Sequence, residues 1–207
     1  MNQNPRAQDL NCQHPALEER IEVWDLKHFG NIKKYIPHLQ DEKKREMANT
    51  VMAMFEANVL PSIPSWKKGM IHNDVSGQNI VLKKAGGEYE IVGLLDFGEC
   101  AYTCYLFELA AMLAYAKLER ENPVEFVAPM LRCYLDAFPL SRDELGCLYY
   151  AVLARMCQST VSGEYRFTQE PWNAYLLTTP AKAWRVINLM LTLTKDRVEE
   201  IWRIWKE

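Results

Sequence analysis

Ile71-His72-Asn73-Asp74-Val75-Ser76-Gly77-Gln78-Asn79-Ile80-Val81-Leu82, answered downstream by Leu94-Leu95-Asp96-Phe97-Gly98-Glu99, is the stretch that decides this fold. Ile80 to Leu82 and Tyr89 to Leu95 are β-rich runs. Between them Lys83 to Glu88 carries Gly86-Gly87 at its centre, the pattern of a β-hairpin closed by a glycine-containing turn. Polar groups sit at the hairpin's open end. His72, Asp74 and Asn79 precede the first strand and Asp96 follows the second. A chain that doubles back in this way brings Asn79 and Asp96 together.

Outward from the hairpin the sequence reads as helix. Met47, Val51, Met54, Phe55 and Val59 recur at three- and four-residue steps and predict a helix over Leu39 to Leu60, stopped by Pro61 and Pro64. From Tyr102 the chain reads as helical nearly to its end, with breaks near Asn122-Pro123, Phe138-Pro139, Gly163 and Thr179-Pro180. Ser141 three residues before Glu144 is a capping box. Trp184, Ile187, Leu191, Val198, Ile201, Trp202 and Trp205 form an apolar stripe on a last helix running from Ala181 toward Glu207. The expected class is mainly α with a small central β-hairpin.

The 207 residues and 49% hydrophobic composition are those of a globular chain able to bury a core without staples. The net charge of −3 and pI of about 5.9 advertise no basic face for nucleic acid. The cluster Lys43-Lys44-Arg45 is flanked by Asp41, Glu42 and Glu46 and reads as a solvated helix face. Ala101 to Leu118 is the most apolar stretch, but Thr103 and Glu108 interrupt it, so a buried core helix is expected rather than a membrane span. Six cysteines without a CxxC pair read as reduced thiols, with Cys100 and Cys104 four apart on an expected helix. With a polar start from Met1 to Cys12, they point to a cytoplasmic protein.

The polar residues of the hairpin have a chemical logic. A phosphoryl donor is heavily anionic, so moving its terminal group calls for Mg²⁺ on hard oxygen ligands. Asn79 and Asp96 are the expected metal ligands, and Asp74, on the loop just before the hairpin, the expected base. His72 is expected to brace the loop rather than act as base. Singly, each of these residues would be an ordinary turn or loop residue. Their order on one hairpin is what carries the reading.

His72-Asn73-Asp74 with Asn79 and Leu95-Asp96-Phe97-Gly98 resembles the aminoglycoside phosphotransferase-like kinases, which share the protein-kinase-like fold. The direct run from Gly98 into Leu106-Phe107-Glu108 leaves no room for the activation loop of protein kinases. Within the group the sequence is most similar to the hydroxylysine kinase family, through Trp24-Asp25-Leu26-Lys27, Leu94 to Glu99, Arg155-Met156-Cys157-Gln158-Ser159, Ala174-Tyr175-Leu176-Leu177 and Val198 to Trp202. The resemblance implies transfer of the terminal phosphoryl of GTP, or ATP, to the hydroxyl of 5-hydroxy-L-lysine, with Mg²⁺. It departs at two places: Asn73 stands where the family usually has Gly, and Glu99 where it commonly has Asp.

The resemblance also implies a division of the chain. Residues 1–23 are expected to be a polar lead-in and 24–207 a C-terminal kinase lobe, with the catalytic loop and metal-binding hairpin at 70–99 and a helical subdomain at 100–207. Neither a Gly-rich phosphate loop nor a strand lysine precedes His72, so an N-terminal β-rich lobe is not expected in this chain. On the substrate side, an amine-bearing acceptor would seek carboxylates and aromatic faces. Glu99 is the leading candidate, and Glu164 and Glu170 with Tyr165 and Trp172 form a second, polar-aromatic segment. Glu108, inside an apolar helix, is expected to brace the catalytic loop. The alternatives are a non-catalytic lone lobe acting as a binding or regulatory module, and choline or another amino alcohol as acceptor. An uncovered lobe face would also favour self-association.

Overall fold

The computed structural model describes residues 20–116, 118 and 120–205. Most of the polar lead-in, Cys12 included, and the last two residues lie outside the described residues. Asp25 opens the described fold. Its carboxylate accepts from Lys27 N at 3.0 Å and caps a 3-10 stretch, Leu26–Lys34, that buries Leu26, Phe29 and Ile32. Asp41 likewise accepts from Lys43 N and Lys44 N and sets the start of helix α1, Glu42–Asn58. The cap trims the helix predicted over Leu39 to Leu60, and Ala48, Val51, Met52 and Phe55 form its buried face.

The hairpin forms as read. β2, Ile80–Ala85, pairs antiparallel with β3, Glu88–Leu94, in the register Ile80 to Leu94 and Ala85 to Glu88. Gly86 and Gly87 turn at φ of 61° and 94°, a conformation costly for residues with a Cβ. A second two-stranded sheet lies beside it, in which β1, Lys68–Ile71, pairs with β4, Ala101–Cys104. This corrects the helical reading of Tyr102 and of the Cys100–Cys104 stretch. Pairing with Met70 and Ile71 holds these residues extended, so helix α2, Tyr105–Ala116, begins only at Tyr105. Cys104 is buried and its thiol is pushed up to about 12 by burial.

The remaining elements are α3, Pro123–Phe126, α4, Ala128–Ala137, α5, Arg142–Gln169, and α6, Pro180–Trp202. The Ser141–Glu144 capping box opens α5. Every residue of α5 from Ala151 to Ser162 is buried, because α1, α2 and α6 all pack on it. It is the axis of the core. The break expected at Gly163 does not occur. A Cβ there would meet Leu176 O at 2.6 Å, so this glycine serves close approach of the 3-10 segment Ala174–Leu177 rather than ending the helix. α6 is interrupted instead at Thr194, with φ of 67° and ψ of 162°. Trp184, Ile187, Val198 and Trp202 of its stripe are buried, whereas Trp205, beyond the helix end, is 42% exposed. No helix among the described residues is long and apolar enough to cross a membrane.

The β2–β3 hairpin stands out from this body. Leu82, Ile91, Val92 and Leu95 are each more than half exposed, Ile91 at 71%, and Phe97 beside them is exposed too.

Two glycines of α5 are expected to behave oppositely. Gly163→Ala should cost about 1–3 kcal/mol, since backbone must move to admit the methyl. Gly146→Ala, with nothing within 4 Å of the added Cβ, should gain up to about 1 kcal/mol. Urea denaturation of both variants against the parent reads the difference.

Candidate active site

The loop after β1 is bent by Asn73, whose φ of 65° is left-handed. Asparagine tolerates that region better than other residues with a Cβ. The bend is fastened on every side. Asn73 N donates to Glu108 Oε2 at 2.7 Å, its Nδ2 donates to Glu99 O at 3.3 Å, and its O accepts from Arg155 Nη2 at 2.7 Å. Glu108 thus reaches from α2 to hold the loop backbone. Burial pushes its carboxyl above the usual range, and the Asn73 N–H partly offsets this.

His72 ties the loop to the end of β3. Its Nδ1 accepts from Asp74 N at 3.3 Å, so Nε2 carries the proton donated to Leu95 O at 2.8 Å. The ring also packs on Phe97, with centroids 4.8 Å apart. Both ring nitrogens are engaged in holding backbone.

Asp74 follows, half-buried. Asn79 Nδ2 donates to its Oδ2 at 2.8 Å and to its backbone O at 2.9 Å. Burial raises the Asp74 carboxyl, Arg155 and the Asn79 hydrogen bond oppose this, and nearby Asp96 adds to it. Leu95 N donates to Asn79 O at 2.8 Å, which sets Asn79 beside the Leu95–Asp96 end of the hairpin. The structure therefore brings His72, Asp74, Asn79 and Asp96 together.

The donor set at the hairpin end suits a hard cation. Both recorded hydrogen bonds of the Asn79 side chain leave from Nδ2, so Oδ1 is the atom left to ligate. Asp96 is exposed in a left-handed conformation, and its Oδ1 lies 3.2 Å from where a Cβ on Gly98 would stand. Among the described residues no group of three or more His, Cys, Asp or Glu could hold a metal. A two-residue oxygen set completed by water and phosphate is what Mg²⁺ takes.

A cavity of about 810 Å³ adjoins the loop. Its lining includes Asp74 with Val75 to Gln78, Glu99, Met112 and Tyr115 of α2, and Arg155, Ser159 and Gly163 of α5. Glu99 is pushed up to about 7 by burial and by the neighbouring Glu22 carboxyl, with which it shares a hydrogen bond. Arg20 pairs with Glu22 at 2.7 Å and donates to Gly98 O at 2.8 Å, so the chain ahead of Trp24 straps this segment.

The other candidates fall elsewhere. Glu164 accepts from Lys44 Nζ at 2.6 Å and Trp184 Nε1 at 2.8 Å, a contact that fastens α1 to α5 and α6. Glu170 pairs with Arg166, and Trp172 is 79% exposed. None of these three lines the cavity.

Arg155 has a role that residue-by-residue reading of the sequence does not reveal. It is 1% exposed and donates to Trp24 O at 2.6 Å and Asn73 O at 2.7 Å. Its guanidinium lies 5.4 Å from the ring centroids of both Trp24 and Tyr115. An arginine amid the apolar run of α5 was the available signal.

Residues 7–145 match the family described as phosphotransferase enzyme family. The chain belongs to that family. It is similar to hydroxylysine kinase of Danio rerio, 29% identical over 198 residues, covering 93% of this chain and 56% of the relative. Hydroxylysine kinase of Bos taurus is 30% identical over 198 residues, 91% and 53% of the two chains, and that of Mus musculus 30% over 186, 87% and 50%. The chain spans about half the length of the curated relatives it matches.

The raised carboxyl of Glu99 has a sign that can be tested. The folded protein holds this proton up to about pH 7, the unfolded chain only to near its ordinary 4.5, so stability falls as pH rises between them. Glu99→Gln should raise the melting temperature by about 2–4 °C at pH 8, after discounting for its exposure, and leave it unchanged near pH 4. Scanning calorimetry at the two pH values reads this.

Proposed function

We propose that this chain supplies the acceptor and metal side of a small-molecule kinase that transfers the terminal phosphoryl of GTP, or ATP, to the hydroxyl of 5-hydroxy-L-lysine. The observation that carries the reading is Asp74, which touches Asn79, feels the charge of Asp96 and lines the cavity at once. In this reading the acceptor hydroxyl oxygen attacks the terminal phosphorus, a new P–O bond forms and the nucleoside diphosphate leaves. The hydroxyl proton passes to the Asp74 carboxylate, whose raised affinity for protons suits it to the task. Asn79 and Asp96 would hold Mg²⁺, which supplies charge neutralisation to the phosphates. His72, Arg155 and Glu108 keep the loop in register. Glu99 offers its carboxylate to an ammonium group of the acceptor.

Hydroxylysine as acceptor is supported by the names of the relatives, and GTP by the family resemblance. The reading places the lobe at 24–207, with the hairpin at 70–99 as its metal-binding element, in the cytoplasm where its cysteines stay reduced. Asp74→Asn should lower phosphoryl transfer to hydroxylysine by about 10²–10⁴-fold with the melt unchanged, measured with labelled GTP and ATP in Mg²⁺. Retained turnover overturns the assignment.

The exposed apolar hairpin favours a second reading, a module that acts by docking rather than by catalysis. Hairpins of this kind associate with one another when left uncovered. Sedimentation velocity should show concentration-dependent self-association that Leu82→Glu with Ile91→Lys abolishes. Calorimetry with a transfer assay then separates the two readings, because tight binding of Mg·GTP or Mg·ATP together with phosphoryl transfer to hydroxylysine is expected only of the kinase.

A further inference from the structure

Glu99 is a carboxyl of this site that the protein leaves without a cation of its own. Its backbone O accepts from Asn73 Nδ2 at 3.3 Å, which sets it beside the residue preceding Asp74, and it lines the cavity as Asp74 does. The two guanidiniums nearby are engaged elsewhere. Arg20 pairs with Glu22 at 2.7 Å and donates to Gly98 O at 2.8 Å and Cys100 O at 3.4 Å. Arg155 donates to Trp24 O, Asn73 O and Gln158 Oε1. Among the described residues no ion pair reaches Glu99.

Its partner is another carboxyl. Glu22 is 7% exposed, and its side chain shares a hydrogen bond with that of Glu99. Ionised carboxylates only accept, so this contact holds a proton between the two. Glu22 does not line the cavity, but Trp24, two residues on, does, so Glu22 stands behind Glu99 at the cavity wall. The other charged groups facing the pair are Arg20, Asp74 of the catalytic loop and Arg155 of α5. Cys100 is next in the chain, and Glu108 of α2 acts on it.

A cation entering from the cavity can take the place of the shared proton. Among the described residues no group of three or more His, Cys, Asp or Glu could hold a metal, so a primary ammonium suits this pair better than a divalent ion. In 5-hydroxylysine the side-chain ammonium is on the carbon next to the one that bears the hydroxyl. A hydroxyl held at Asp74 keeps that ammonium near it, and Asp74 is close enough for its charge to act on Glu99.

We propose that Glu22 and Glu99 form the ammonium end of the acceptor site. Glu99 contacts the side-chain ammonium, Glu22 positions Glu99 from behind, and binding exchanges their shared proton for the ammonium. The proposal rests on the hydroxylysine reading above and adds to it a residue and a proton balance: an N–H···O contact replaces an O–H···O contact, and the displaced proton goes to water. The exchange has a sign. Glu99 holds its proton up to about pH 7, so an ammonium must expel it below that pH and meets a bare carboxylate above it. Affinity therefore rises with pH to about 7 and then levels off.

Isothermal titration of the chain at pH 6 and pH 8, each in two buffers of different ionisation enthalpy, reads affinity and proton release together. 5-Hydroxylysine should bind about tenfold less tightly at pH 6 than at pH 8 and release about one proton per molecule at pH 6. 5-Hydroxynorleucine, which lacks only the side-chain ammonium, should bind about tenfold more weakly than 5-hydroxylysine at pH 8 and release none. Glu22→Gln, with a cooperative melt, should cut both the pH ratio and the proton release by more than half, and Glu99→Gln should abolish both. A parent chain that binds 5-hydroxylysine without releasing a proton, or binds 5-hydroxynorleucine equally well, overturns the site while the hydroxylysine reading stands. Full proton release in a folded Glu22→Gln overturns the part given to Glu22. Mg²⁺ that displaces 5-hydroxylysine and releases the same proton reassigns the pair to a divalent cation and overturns the site too. If ethanolamine binds with proton release and 5-hydroxylysine does not, the ammonium site stands and the hydroxylysine reading falls. If none of these compounds binds, both fall.

Discussion

The buried guanidinium of Arg155 is the constraint around which the rest is arranged. Removing a cation from water costs several kcal/mol unless its donors are used. No carboxylate among the described residues pairs with it directly. Its Nη1 and Nη2 donate to Trp24 O, Asn73 O and Gln158 Oε1, Nε has no hydrogen-bond partner, and two aromatic faces and the more distant charges of Asp74, Glu99 and Glu108 surround it. Three segments far apart in sequence meet on one side chain: the chain before the first 3-10 stretch, the catalytic loop and α5. None can shift without leaving a buried charge short of partners. The loop inherits its position from the core helix, whose residues from Ala151 to Ser162 are all buried.

A loop held in this way can tolerate backbone strain. Left-handed Asn73 and Asp96 bracket the site, and each such conformation costs energy that neighbours must offset. At Asn73 the offset is visible, with its N, O and Nδ2 all hydrogen-bonded. His72 adds a tie to β3 through Leu95 O. The strain turns Asp74 away from the strand axis toward both Asn79 and the cavity. A larger residue at position 73 with no liking for this region would release the loop even if His72, Asp74 and Asn79 were kept.

What could be read in advance follows from where the information lies. The hairpin, its Gly86-Gly87 turn, the Ser141–Glu144 box and the α1 face are local patterns, and the structure contains all four. The site residues His72, Asp74, Asn79 and Asp96 converge because a hairpin of known length joins them. The misses are long-range. β4 is extended because β1 lies beside it, and nothing within Ala101–Cys104 says so. Gly163 reads as a helix break until Leu176 O is seen pressed against it. Glu164 reads as a free carboxylate until Lys44, far back in α1, is found on it. Arg155 reads as one more helical arginine until its carbonyl partners are known.

The catalytic loop is also a junction. It adjoins the hairpin, Asp96 and the free oxygen of Asn79, beside exposed apolar side chains. The cavity is lined by Asp74, by Val75 to Gln78 and by Ile80 of β2, but not by Asn79 or Asp96. Asp74 belongs to both: its Oδ2 is held by Asn79 and it lines the cavity. Bracing by Arg155, His72 and Glu108 then has a chemical meaning. It fixes the residue that joins the polar end of the hairpin to the cavity.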